Sequence, residues 1–102
     1  MTRSIEEGRA MSTFFMFGTY SQEALKGIGA DRTAKAAGII EDLGGKVLSM
    51  YALLGAQDLV LIVDLPDIQA AVKASIAVSR LTGIGFSTAP AVSVDEFDKL
   101  VG

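Results

Sequence analysis

The sequence contains no cysteine, histidine, tryptophan or asparagine. Without cysteine it can form no disulfide, thiolate nucleophile or cysteine-ligated metal site, a composition that suits a reducing cytoplasm. Without histidine it lacks the side chain that most often performs acid–base chemistry near neutral pH and most often binds transition metals. We therefore expect no metal, haem or other cofactor. Tyrosine, aspartate, arginine and lysine remain as acid–base candidates.

Basic residues are also scarce, since 9 Lys and Arg stand against 12 Asp and Glu for a net charge of −3. This balance offers no basic surface for nucleic acid or an anionic membrane. The longest uncharged run, Leu81 to Val94, contains two glycines and a proline, which argues against a membrane span. We therefore expect a cytoplasmic protein that binds neither nucleic acid nor membrane.

The first ten residues lack the apolar middle region of a signal peptide. We interpret residues 1–11 as a dispensable polar extension in front of one domain, residues 12–102. Alternatively, Met11 is the native start. The length of 102 residues fits a single domain that would gain from further burial by oligomerisation.

Two stretches of the chain are apolar on both faces. Gly55 and Asp58 precede the five aliphatic residues from Leu59 to Val63, and Ser12 to Tyr20 places aromatic residues on both sides. Such runs predict strands that are buried on both faces at the centre of a sheet. Lys46 to Leu54, joined to the aliphatic strand by a short turn, predicts an antiparallel hairpin.

Two helices are predicted between these strands. The first is capped by Asp31, buries a face that includes Thr33, and ends at the glycine pair 44–45. The second starts at Pro66, and its buried stripe contains small and aliphatic residues: Ala71, Ala74, Ser75, Val78 and Leu81. Ile76 falls among its polar positions, which indicates a contact with something other than the domain's own core.

The last strand, Gly83 to Val92, contains Pro90 and therefore suits a sheet edge. Ser93 followed by Glu96 predicts a capped terminal helical turn. The resulting order, β-α-β-β-α-β, predicts an α+β ferredoxin-like fold with a four-stranded antiparallel sheet. Both helices then cover one face, and the apolar strands leave the other face bare. We expect a second copy to cover it, sheet against sheet, as a homodimer.

Several segments match a known family in order and spacing: Tyr20, Gly44-Gly45, Met50 to Gly55, Asp58-Leu59-Val60 and Leu81-Thr82-Gly83. With these segments the chain resembles the GYD domain family of the dimeric α/β-barrel superfamily. Gln57 occupies the place of the family's tyrosine. The resemblance implies a ferredoxin-like dimeric α/β barrel more than it implies a particular chemistry.

The chain is more distantly similar to the effector-binding domain of Lrp/AsnC-type regulators. That likeness implies binding of a small ligand at subunit contacts, without DNA binding, because no helix-turn-helix segment precedes the domain. The pair Gly27 and Gly29 does not make a dinucleotide fingerprint, because Arg32 stands where the third glycine would be.

Four residues are candidate ligand contacts: Tyr20, Arg32, Tyr51 and Asp58. Asp58 could orient a ligand, or it could accept backbone N–H bonds in the hairpin, and Asp64 could be a strand-end or helix-start cap. Each tyrosine could present its hydroxyl to a cavity or pack its ring and leave its oxygen in water. Arg32 could bind an anion or be solvated. No catalytic residue is assigned.

Three functions remain open. The favoured one is a homo-oligomeric small-molecule-binding or regulatory module, with its ligand between sheet and helices or at the subunit interface. The alternative is a cofactor-independent monooxygenase or isomerase of the dimeric α/β-barrel type that uses tyrosine and aspartate as acid–base groups. A purely structural oligomer is the third.

Overall fold

The computed structural model describes residues 11–102, so the predicted N-terminal extension lies outside the described residues except for Met11. The chain forms β1 (Ser12–Thr19), α1 (Gln22–Lys26), α2 (Ala30–Asp42), β2 (Lys46–Ala52), β3 (Leu59–Leu65), α3 (Ile68–Thr82), β4 (Gly85–Ala91) and α4 (Val94–Val101). The strands pair antiparallel in the order β2-β3-β1-β4. This confirms the ferredoxin-like sheet with the two doubly apolar strands at its centre.

The register of the central strands separates the residues of the sheet into two faces. Phe14 lies opposite Val63 and Met16 opposite Leu61, and these four side chains are buried. They form one core with residues of α2 and α3: Ala36, Ile40, Ala70, Ala71, Ala74 and Val78. Both long helices therefore cover the same face, as the sequence predicts.

The opposite face carries the alternate residues of the same strands. Phe15 lies opposite Ile62 and Phe17 opposite Val60, while Tyr51 of β2 lies on the other side of Val60. The rings of the two phenylalanines lie 6.1 Å apart, centroid to centroid. We call this surface, made by Phe15, Phe17, Tyr51, Val60 and Ile62, the bare face.

The edges of the sheet follow the sequence signals with small shifts. Pro90 lies in β4, which is an edge strand. On the other edge, β2 is irregular between Val47 and Ser49, which explains why its sequence alternates poorly, and it ends at Ala52 instead of Leu54. The terminal cap is confirmed, because the Ser93 hydroxyl accepts from the Glu96 backbone N–H at 3.0 Å.

Both predicted helix starts are wrong. Asp31 is not a cap, because α2 begins at Ala30 and its N-cap is Gly29, which offers no side chain. α3 begins two residues after Pro66, where Asp67 accepts from the Ala70 backbone N–H at 2.8 Å. The carboxylate of Asp67 thus satisfies a first-turn donor that Pro66 alone would leave unpaired.

Two residues that we predicted on buried helix faces are exposed. Leu81 is 38% exposed, and the next residue, Thr82, is buried in its place. The Thr82 hydroxyl donates to the Val78 carbonyl at 2.7 Å and accepts from the Ile84 backbone N–H at 3.0 Å, so its polar atoms are satisfied inside. Thr33 is exposed as well.

Candidate functional site

A cavity opens between the sheet and its helices, where β1 ends and β3 and β4 begin. Its empty volume, including the side open to solvent, is about 430 Å³. The start of α2 and the end of α3 form its walls. The lining is mostly apolar: Tyr20, Ile28, Gly29, Arg32, Thr33, Ala36, Met50, Leu59, Leu61, Val78, Thr82, Ile84 and Phe86.

Gly18 shapes the floor of this cavity. It is the next residue of β1 on the helix-covered face after Phe14 and Met16, and it is buried. A Cβ there would lie 2.8 Å from Ile84 Cγ2 and 3.1 Å from Leu59 Cδ2. The missing side chain therefore lets these two residues close over the strand and form an apolar floor.

Tyr20 and Asp58 are joined through the backbone. The Tyr20 N–H donates to Asp58 Oδ2 at 2.8 Å, and the Asp58 N–H donates to the Gly18 carbonyl at 2.9 Å. Asp58 thereby fixes the chain where β1 leaves the sheet and places Tyr20 at the cavity. Its carboxylate accepts a backbone N–H as in our alternative interpretation, although the donor is the residue that follows β1 and not a residue of the hairpin.

Arg32 lines the cavity and connects three helices. From α2, its Nη1 donates to the Ala24 carbonyl of α1 at 2.7 Å and to the Thr82 carbonyl of α3 at 3.3 Å. Gly27 permits this approach, because a Cβ there would lie 2.8 Å from Nη1. Arg32 is half-buried, so it is not fully solvated. Because its Nη1 already binds two carbonyls, only its other guanidinium nitrogens could bind an anion.

The positive charge of Arg32 has no acidic partner in the part of the chain that the structure describes, where the only ion pair within 4 Å joins Lys26 and Glu23. The N-terminus of α2 opens nearby at Gly29, which also lines the cavity and has no side chain to cap the helix. A helix N-terminus and a guanidinium both favour negative charge. The site therefore combines apolar walls with a positive end.

Tyr51 does not join this site. It lies on the bare face and is 58% exposed. Gln57 lies apart too, and its Oε1 accepts from the Thr19 hydroxyl at 3.1 Å. Asp64, which we considered as a cap, instead accepts from the Thr13 hydroxyl across the sheet at 2.7 Å.

Of the four candidates, Tyr20 and Arg32 thus line the cavity, Asp58 positions Tyr20, and Tyr51 is separate. The sequence reasoning missed the apolar lining, including Ile28, Ile84 and Phe86. In the sequence, Ile84 and Phe86 resemble ordinary strand positions. Only the place of Ile28 between Gly27 and Gly29 signals an opening.

Within residues 11–102 no group of three Asp or Glu side chains is placed to hold a metal ion. Over the same range, none of the helices combines the length and hydropathy that a membrane crossing requires.

The sequence profile described as GYD domain matches residues 14–101. Among curated proteins, none matches the chain. Regulatory proteins are among the similar solved structures. They include the feast or famine regulatory protein of Mycobacterium tuberculosis complexed with L-methionine, with a TM-score of 0.63 and 17% identity over 87% of this chain and 55% of that one.

Two other structures are similar at the level of the fold. An AsnC family transcriptional regulator from Agrobacterium tumefaciens has a TM-score of 0.57 and 18% identity, covering 85% of this chain and 54% of that one. The leucine response regulatory protein of Mycobacterium tuberculosis has a TM-score of 0.56 and 14% identity, covering 86% and 55%. The chain spans about half the length of these regulators.

Proposed function

We propose, from the premise that the chain belongs to the GYD domain family, that it is a homo-oligomeric small-molecule-binding module with a regulatory role. The ligand occupies the cavity between the sheet and its helices. It is a small apolar molecule that carries one carboxylate. The observation that supports this most is Arg32, a cation without an acidic partner among the described residues, at the edge of an apolar cavity.

The lining supports this ligand class. An apolar body would pack on the side chains of Met50, Leu59 and Phe86. A carboxylate would accept from those guanidinium nitrogens of Arg32 that do not bind Ala24 and Thr82, and arginine suits this role because it donates in a planar fork. The Tyr20 hydroxyl adds one further polar group. L-methionine, present in one similar structure, combines a carboxylate and an apolar side chain with an ammonium group.

The position of Asp58 favours binding over catalysis. Its carboxylate accepts from the Tyr20 backbone, and Asp58 is absent from the cavity lining. The cavity therefore lacks a paired tyrosine and carboxylate for proton transfer.

The bare face supports the homo-oligomeric part of the proposal. Phe15, Phe17 and Ile62 are half-buried without a covering helix from α2 or α3. Two such sheets packed face to face would complete the dimeric α/β barrel and bury these side chains. The interface between the two sheets would then resemble that of an obligate dimer, which is rich in apolar residues.

The ligand class is tested by thermal unfolding with aliphatic and aromatic carboxylates and with amines of the same carbon skeletons. A binding carboxylate at about 100 times its Kd should stabilise the fold by about 2.7 kcal/mol. The amines should give no stabilisation, because they would place a cation beside Arg32.

Gly29→Leu should abolish this stabilisation by filling the cavity mouth. Gly29 lines the cavity, its φ of 173° is extended, and a Cβ there meets no atom within 4 Å, so the fold should tolerate the change. Gly38→Leu is the matched control, because its Cβ is equally unobstructed and it lies outside the cavity. Equal carboxylate binding by both variants would contradict the proposed site.

A further inference from the structure

The terminal helix α4 has an apolar side that packs on no other helix or strand within residues 11–102. Its four large apolar residues, Val94, Phe97, Leu100 and Val101, are 53 to 73% exposed. At 100° per residue they fall on one side of the helix, and no residue of α4 is buried. An amphipathic helix of eight residues is only marginally stable by itself. The apolar side of α4 therefore needs an apolar partner surface.

A second apolar surface lies between α3 and β4. Ile68, Val72 and Ile76 follow each other at intervals of four residues along α3, and each is about half exposed. With Phe14 and Pro90 they line a groove with an empty volume of about 490 Å³, including its open side. Ile76 is the residue whose place among polar positions already indicated an outside contact. We call this surface the α3–β4 groove.

The helix and the groove match in length. At about 1.5 Å per residue, the eight residues of α4 and the eight steps from Ile68 to Ile76 each span about 12 Å. The side chains at positions i, i+3 and i+7 of one helix, Val94, Phe97 and Val101, can therefore pack along the stripe of the other.

The charges of the two elements are also complementary. α4 carries Asp95, Glu96 and Asp98 against the single basic residue Lys99. α3 carries Lys73 and Arg80 and no acidic residue. Acidic side chains that flank the apolar side of α4 would thus meet a basic helix, which favours this pairing over the association of two like helices.

We propose that α4 of one copy binds in the α3–β4 groove of a second copy. Only Val92 and Ser93 separate α4 from β4. With the Ser93 cap formed, α4 leaves the apolar residues of its own groove exposed. A reciprocal exchange would fill both grooves across a two-fold axis. The groove lies on the helix-covered side of the sheet, so this contact is separate from the sheet-to-sheet packing of the bare face. The proposal is independent of the small-molecule cavity, which is lined by other residues.

The absence of cysteine permits a direct test by disulfide cross-linking. Val72 lies in the middle of the groove stripe and Phe97 in the middle of the helix, so the two meet whichever way α4 runs. We would mix Val72→Cys with an affinity-tagged Phe97→Cys and oxidise the mixture. A covalent heterodimer that contains the tag is expected. Lys99→Cys in place of Phe97→Cys is the matched control. Position 99 lies on the opposite side of α4, so this variant should form no covalent heterodimer with Val72→Cys.

A Val72→Cys/Phe97→Cys double variant separates the second copy from the chain's own helix. Cross-linked dimers support exchange, whereas a disulfide confined to the monomer would show that α4 folds onto its own groove and would overturn the proposal. Equal cross-linking by the Lys99→Cys control, or none by either, would also overturn it.

A measurement without a cross-link uses Phe97→Glu and Lys99→Glu in sedimentation equilibrium. Phe97→Glu should raise the concentration at which copies associate, and Lys99→Glu should not. Equal association by the two variants would contradict the exchange.

Discussion

The two faces of the sheet are built from the same strands and are similarly apolar, yet the two long helices of the described chain cover only one of them. On the covered face Met16 and Leu61 lie beneath α2 and α3 and are buried. On the bare face Phe17 and Val60 hold the equivalent register positions, one residue along each strand. The composition of a strand therefore indicates how much of its surface must be buried. The order of helices and strands along the chain decides which face of the sheet the helices cover.

The polar residues of the bare face are arranged around its apolar centre. Thr13 and Asp64 pair at one end, and Ser49 and Ser87 lie on the two edge strands beside Ile62 and Phe17. An apolar centre with a polar rim is the usual organisation of a protein–protein interface. On the covered face the polar side chains instead bond within α3 or between α3 and the sheet, as the Thr82 hydroxyl does to the Val78 carbonyl and the Ser75 and Thr88 hydroxyls do to each other.

Adjacent residues of β3 provide the strongest way to separate the two faces. Leu61 is 3% exposed on the covered face, so Leu61→Lys places an ammonium in the core of each copy. Burial of an unpaired charge of this kind should cost about 4 kcal/mol or more, enough to unfold a small domain. Circular dichroism should show loss of the cooperative thermal transition at every protein concentration. A variant that retains wild-type melting would refute the core position of Leu61.

Val60→Lys should produce the next largest effect, and of a different kind. Val60 lies on the bare face between Phe17 and Tyr51, where it is 6% exposed in a single copy. Because α2 and α3 pack on the other face, a lysine there can extend its long side chain past these neighbours and keep its ammonium in water. We expect a folded protein that no longer dimerises through its sheet. Sedimentation equilibrium should show a smaller mass than for the wild type.

The wild-type melting temperature should also rise with protein concentration, because folding and association are coupled, and this dependence should weaken in Val60→Lys. A wild-type protein that remains a compact monomer at micromolar concentration would contradict the sheet-to-sheet dimer.

Much of the fold could be predicted from the sequence, because the information is local. The doubly apolar runs around Phe15 and Leu61 identify central strands, and Pro90 identifies an edge. What failed was the choice between neighbouring residues at helix ends. Asp31 and Asp67 are equally plausible caps in sequence, and only the path of the chain gives Asp67 a first-turn N–H to bind.

The candidate site was less predictable, because its parts come from distant segments. Arg32 could be proposed as an anion contact, but its bonds to Ala24 and Thr82 depend on how three helices meet. Tyr51 was grouped with Tyr20 by residue type, and the irregularity in β2 together with the register places it on the bare face. The apolar cavity walls carry no motif.

Thr13→Val should have a moderate effect on the bare face. It removes the 2.7 Å bond to Asp64 and leaves a partly buried carboxylate without that donor. A hydrogen bond to a charged group contributes about 1.5 to 3 kcal/mol, and the partial exposure of this pair favours the lower end. If the bare face is an interface, part of the loss should appear as weaker association in sedimentation equilibrium. Thr13→Ser is the control, since it keeps the hydroxyl. Equal loss in both variants would assign the effect to packing.

The smallest expected effect concerns a cap on the covering layer. Asp67→Ala removes the acceptor for the Ala70 N–H at the start of α3 and should lower the free energy of unfolding by about 1 kcal/mol. Asp67→Ser should restore most of it, because serine also caps. Asp31→Ala removes a carboxylate that caps nothing and should change stability by less than about 0.5 kcal/mol. Urea unfolding measures all three. Because the Asp67 carboxylate binds the Ala70 N–H within one copy, equal losses from Asp67→Ala and Asp31→Ala would contradict its role as the N-cap of α3.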